Sequence, residues 1–139
     1  MPDLSPALAS LADATSAIAR AASGAAATAS DDSLLAFQRE VAASARLLEQ
    51  AAATFAAEIA FRSRRELGYD GLAQRHGVRT PEALVQQVTG ASSQSARRLV
   101  RVGTLVADLT AHDAGGSALA EPWLEPVLRR VTAGELSAE

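Results

Sequence analysis

The sequence predicts an all-α protein: a long amphipathic helix packed with several shorter helices, two of which form a helix-turn-helix-like hairpin. Three observations carry that prediction. Apolar residues return at steps of three and four along most of the chain, the spacing that lines one face of an α-helix. Ala is abundant, which favours helix at little entropic cost. Gly, Pro, Ser, Thr and Asp cluster where such runs begin and end, as helix caps do.

Leu4, Leu8, Leu11, Thr15, Ile18 and Ala22 place a first amphipathic helix over residues 4–22, and Gly24 is expected to stop it. Ala25 to Ser30 then reads as a short linker, which divides the chain into an N-terminal helix with linker (1–30) and a helical domain (31–139). Asp31, Asp32 and Ser33 offer N-caps and suit the positive end of a helix dipole. Behind them Leu34, Phe37, Val41, Ala45, Leu48, Ala52, Phe55 and Ile59 form a continuous apolar seam, so one helix is expected from about 33 to 66. A seam that long needs covering, either by other helices of the chain or, in coiled-coil fashion, by a second copy.

Gly68 is expected to end the long helix, with Asp70 capping a short one through Leu72 to His76 and Gly77 stopping that in turn. Thr80-Pro81-Glu82 is a strong helix start, because Pro suits the first helical position and Glu the dipole. That helix should run to Thr89 and break at Gly90. Ser92 or Ser93 caps the next, whose stripe is Ala96, Leu99, Val100, Gly103, Val106 and Ala107. The alternation around Val100 and Val102 also suits a strand, but the Ser cap and the helical spacing outweigh it. From Asp108 to Glu121 periodicity is lost and a loop is expected; Pro122, Trp123, Leu124 and Pro126 reopen structure, and Val127, Leu128 and Val131 imply a final short helix that ends at Gly134.

Composition narrows the chemistry. Apolar residues make up 48% but aromatics only 4%, so the core should be thin and made by close helix packing. With no Cys there is neither a disulfide framework nor a thiolate metal site, and a reducing, cytoplasmic setting is expected. Asp3 precedes any basic residue and Ser and Asp interrupt the apolar runs, which supports neither a signal peptide nor a membrane span. All thirteen basic residues are Arg. The net charge of −3 conceals an asymmetry, because residues 62–101 hold eight Arg against Glu66, Asp70 and Glu82, a local +5. Such a segment meets phosphates or is a solvated face with internal ion pairs.

His76 and His112 have no His or Cys neighbour at metal-ligand spacing, and each reads as an exposed or capping residue. Glu121 and Glu125 lie four apart, but Pro122 and Pro126 explain that segment as a capped turn. No phosphate loop or nucleophile elbow is present, so no catalytic residue, cofactor, metal or small-molecule ligand is expected. The group with chemical content is Arg97, Arg98 and Arg101 behind Ser92 and Ser93. The arginines share one side of a helix, and its start presents free backbone N–H groups to an anion. Residues 81–107 fit a helix-turn-helix at Val85, Gly90, Ala91, Ala96 and Leu99, whereas Gln86 stands where that motif prefers Ala. A plain helical hairpin fits the same residues.

The runs Arg64-Arg65-Glu66-Leu67-Gly68-Tyr69-Asp70-Gly71-Leu72-Ala73-Gln74-Arg75, Arg79-Thr80-Pro81-Glu82-Ala83-Leu84-Val85-Gln86 and Ala96-Arg97-Arg98-Leu99-Val100-Arg101-Val102-Gly103 closely resemble a domain-of-unknown-function family. That family sits N-terminal to HNH endonuclease modules in high-GC bacterial proteins. The resemblance covers about residues 33 to 137, and Val131 to Ser137 looks like the family's continuation into another helix. It implies a helical, DNA-associated region of a nuclease, truncated before the catalytic module. The family's catalytic His and Asn lie downstream and match nothing here, so this chain is expected not to be an enzyme on its own. Two roles stay open: a non-catalytic module that associates with DNA and positions a nuclease, or an oligomerisation module that pairs with itself through the 34–59 seam.

Overall fold

The computed structural model describes residues 3–114, and every regular element among them is helical. The fold is all-α, as the sequence predicts. The elements are α1 (Ser5–Thr28), α2 (Asp31–Phe61), a 3₁₀ turn (Arg65–Asp70), α3 (Leu72–Arg75), α4 (Pro81–Thr89) and α5 (Ser93–Ala114). The expected short helix through Val127, Leu128 and Val131, the Glu121/Glu125 pair and the segment after Gly134 lie outside the described residues. The chain divides into two compact units, Met1–Ala42 and Ala43–Glu139.

In the first unit α1 continues through Gly24 to Thr28, six residues beyond the expected end. A helical Gly costs about 1 kcal/mol relative to Ala, and the alanines on both sides of Gly24 outweigh that. The expected linker therefore shrinks to Ala29 and Ser30. Pro6 occupies the first turn, where its missing N–H costs nothing. Asp3 accepts a hydrogen bond from the Ser5 N–H at 2.9 Å, and this bond holds its carboxyl below the ordinary range. No residue of α1 is buried, and Leu4, Leu8 and Ile18 stay about half exposed.

Ser30, rather than Asp31, Asp32 or Ser33, caps α2: its Oγ accepts from the Ser33 N–H at 3.3 Å. The two aspartates occupy the first helical turn, still on the favourable end of the dipole. The helix stops at Phe61 instead of about 66, and Gly68 makes its positive-φ bend (52°) inside the 3₁₀ turn rather than at the helix end. The reason is visible at Ser63. Its buried hydroxyl accepts from the Ala73 N–H at 3.1 Å, while the Arg62 carbonyl accepts from the Leu72 N–H at 2.7 Å. The end of α2 thus satisfies the start of α3, which otherwise has only Gly71 as N-cap and no side-chain cap; Asp70 does not perform that role.

α4 matches its expected bounds at both ends. Thr80 accepts from the Ala83 N–H at 3.2 Å, and Gly90 adopts the left-handed conformation (φ 68°) that terminates the helix. It buries Leu84 and Val85. α5 runs on to Ala114, so residues 108–114 are helix rather than the start of a loop, and His112 lies on that helix.

The core of the second unit is made of small residues. Ala56 of α2, Val85 of α4, and Ala96 and Val100 of α5 meet at its centre, with Ile59, Ala60 and Leu99 packed against them. Gly103 brings α5 tightly onto α2: a methyl group placed there would penetrate the Ala53 carbonyl oxygen and lie 2.8 Å from its carbon and 3.1 Å from the Ala57 Cβ. The close approach selects the Ala53/Ala56/Ala57/Ala60 face of α2. That face is rotated by roughly a third of a turn from the expected seam, at about 100° per residue. Of the seam's large side chains in this unit, Ile59 packs against the core, whereas Leu48 and Phe55 are 41% and 50% exposed; in the first unit Leu34, Phe37 and Val41 are 45%, 51% and 49% exposed.

Candidate nucleic-acid interface

The hairpin of α4 and α5 carries every site residue singled out by the sequence. Its turn, residues 90–92, is locked by local bonds. The Thr89 hydroxyl donates to the Val85 carbonyl at 2.7 Å and accepts from the Ala91 N–H at 3.2 Å. Ser92 then caps α5, its Oγ accepting from the Ser95 N–H at 3.1 Å and its carbonyl from the Ala96 N–H at 2.9 Å. The Ser92 hydroxyl also bonds that of Ser95 at 3.0 Å, so it is committed to the cap. Ser93 is the first helical residue, and it is exposed.

Because Ala96, Val100 and Gly103 face the core, Arg97 and Arg101 fall on the outer face of α5 one turn apart, with Gln94 beside them. All three are exposed. Neither Arg97 nor Arg101 makes an ion pair among the described residues. Arg98 differs. It reaches back to α2 and donates to Glu49 at 2.7 Å, with the two side chains 43% and 30% exposed. An ion pair so open to water contributes at most about 1 kcal/mol, but it holds Arg98 away from the Arg97/Arg101 face. The three arginines therefore do not act as one set: two are presented together and the third ties α5 to α2.

Elsewhere in the basic segment, Arg62 pairs with Glu58 one turn earlier on α2, and Arg64 lies over the Phe61 ring at 4.3 Å while donating to the Phe61 carbonyl. His76 is the exposed C-cap of α3. Among the described residues no three His, Cys, Asp or Glu side chains gather as metal ligands. No helix there is long and apolar enough to cross a membrane.

No family model, curated protein or solved structure matches the chain.

Sequence reasoning misses two residues that shape the surface and reads a third only in part. Glu49 gives no signal of its own, since an acidic residue on a helix is ordinary until Arg98 arrives from α5, 49 positions away. Ser63 follows the helix it helps to end and resembles any surface serine. Gly103 belongs to the buried α5 stripe that the spacing predicts, but only the crossing with α2 shows why no larger residue fits.

Proposed function

We propose that this chain is a DNA-associating helical module without a catalytic centre of its own, which engages the phosphate backbone through the outer face of α5. The observation that carries this reading is the presentation of Arg97 and Arg101, exposed and without an ion pair among the described residues, at the start of the second helix of a helix-turn-helix-like hairpin. Two guanidiniums one helical turn apart, about 5–6 Å between their Cβ atoms, suit phosphates on one strand, and the first N–H groups of α5 add further donors near Ser93. Gln94 is the one neighbouring side chain suited to a base edge, so sequence preference is slight. The resemblance to regions that precede HNH endonuclease modules adds a purpose: holding DNA for a nuclease elsewhere in the parent protein.

The test is a salt series of duplex binding. Each phosphate contact steepens the log–log slope by roughly 0.9, so Arg97→Gln/Arg101→Gln should flatten it by about 1.8 and weaken binding. The unfolding midpoint should stay in place, because both side chains are exposed. Arg98→Gln should leave the slope nearly unchanged. Duplex binding that is absent at low salt, or a slope indifferent to the double substitution, overturns the proposal.

A further inference from the structure

We infer that the loop over residues 64–71 is a stacking site for the unpaired bases of a single-stranded nucleic acid, with Tyr69 as its platform. The loop is closed at its base. The Arg62 carbonyl accepts from the Leu72 N–H at 2.7 Å, and the Ser63 hydroxyl from the Ala73 N–H at 3.1 Å. Within the loop the Arg64 carbonyl accepts from the Leu67 N–H at 3.1 Å, and the Gly68 carbonyl from the Gly71 N–H at 3.3 Å. A compact surface loop with its ends pinned in this way holds a side chain in place for a partner. Leu67 is half-buried, whereas Tyr69 is 95% exposed. Packing inside the chain does not account for that ring, and an exposed π face is what base stacking requires.

Charge selects the occupant. Residues 62–79 hold five Arg against Glu66 and Asp70. Arg62 is paired with Glu58, and Arg64 is fixed by the ring and carbonyl of Phe61. Arg65, Arg75 and Arg79 are exposed and make no ion pair among the described residues. The last two follow directly after the loop closes, in a stretch from Gly71 to Pro81 that contains no acid. A single strand supplies flat bases for Tyr69 and phosphates for these guanidiniums together. An acidic peptide satisfies the arginines and leaves the ring without a π partner, and a duplex keeps its bases stacked on one another. None of these residues belongs to the α5 face.

Fluorescence anisotropy of the full chain with a labelled DNA single strand of about ten nucleotides tests this against an abasic strand of equal length. The two strands carry the same phosphates, so their difference reports stacking. The base-bearing strand should bind about five-fold or more tightly, and Tyr69→Ala should abolish that preference with helical circular dichroism unchanged. Tyr69→Phe should keep it, and Tyr69→Ser is the second variant in case the first fails to fold. Tyr69 is the chain's single Tyr, so its ring-proton resonances should move upfield as the strand is added. Arg75→Gln/Arg79→Gln should weaken both strands and flatten the salt slope by about 1.4, at roughly 0.7 per single-strand phosphate. Arg97→Gln/Arg101→Gln should leave the Tyr69-dependent preference in place, which keeps this site distinguishable from duplex binding through α5. Equal binding of the two strands, no binding of either at low salt, a preference that survives both the Ala and Ser substitutions, or a slope indifferent to Arg75 and Arg79 overturns the inference.

Discussion

Replacing Gly103 by Ala probes the contact that decides which face of α2 is buried. Two effects oppose each other. Gly→Ala in a helix interior gains about 0.8–1 kcal/mol of helix propensity. Against it, the new methyl enters the Ala53 carbonyl, 2.8 Å from its carbon, and that obstacle is backbone, which cannot rotate away as a side chain would. Overpacking of this kind costs about 1–3 kcal/mol, and a rigid backbone target puts Gly103 at the upper end. The net expectation is a loss of about 1–2 kcal/mol. At a mid-range slope of about 2 kcal/mol per molar of urea, the midpoint followed by circular dichroism at 222 nm falls by roughly 0.5–1 M. Gly24→Ala is the matched control. Gly24 is also mid-helix, but nothing lies within 4 Å of a methyl group there, so only the propensity gain remains and helicity should rise. If Gly103→Ala also stabilises, α5 does not cross α2 at Ala53 and the packing argument fails.

Other substitutions separate the remaining parts of the structure. Ser63→Ala removes the buried acceptor of the Ala73 N–H and should cost about 1–3 kcal/mol, with faster hydrogen exchange at the Ala73 amide. Thr80→Ala should cost about 1 kcal/mol through loss of the α4 cap, while Thr80→Ser keeps most of it. Leu84→Ala, at a residue 3% exposed, should cost about 2–5 kcal/mol in denaturant unfolding, whereas Leu48→Ala in dilute protein should barely move the midpoint. Glu49→Gln removes the partner of Arg98 and frees a third guanidinium, so the salt slope of duplex binding should steepen by up to roughly 0.9.

The legible parts of this fold were those set by local chemistry. Thr80-Pro81-Glu82 and Gly90 fix α4 to the residue, because a cap and a left-handed Gly act within one turn. Gly24 shows the limit of the same logic, since a Gly stops a helix only where the chain also needs to turn. Periodicity overruns the end of α2 because Ser63 acts on Ala73, ten positions away, and falls short of the end of α5 because helical order outlasts the apolar stripe past Asp108. Periodicity revealed the seam of α2 but not which face would be covered. A stripe of large residues and a stripe of alanines both pack, and Gly103 settled the choice by admitting the closest approach to Ala53. At the site, the sequence placed Arg97, Arg98 and Arg101 on one helix, whereas Glu49 divides them.

The claim that α5 contacts DNA is tested most directly by following backbone amide and arginine side-chain resonances of the full chain as a DNA duplex is added at low salt. The account predicts progressive shifts at Ser93, Gln94, Arg97 and Arg101, fading as salt is raised, with Arg98 little affected while Glu49 holds it. Saturating duplex that leaves Ser93 to Arg101 unmoved, or shifts elsewhere that persist in high salt, would contradict it.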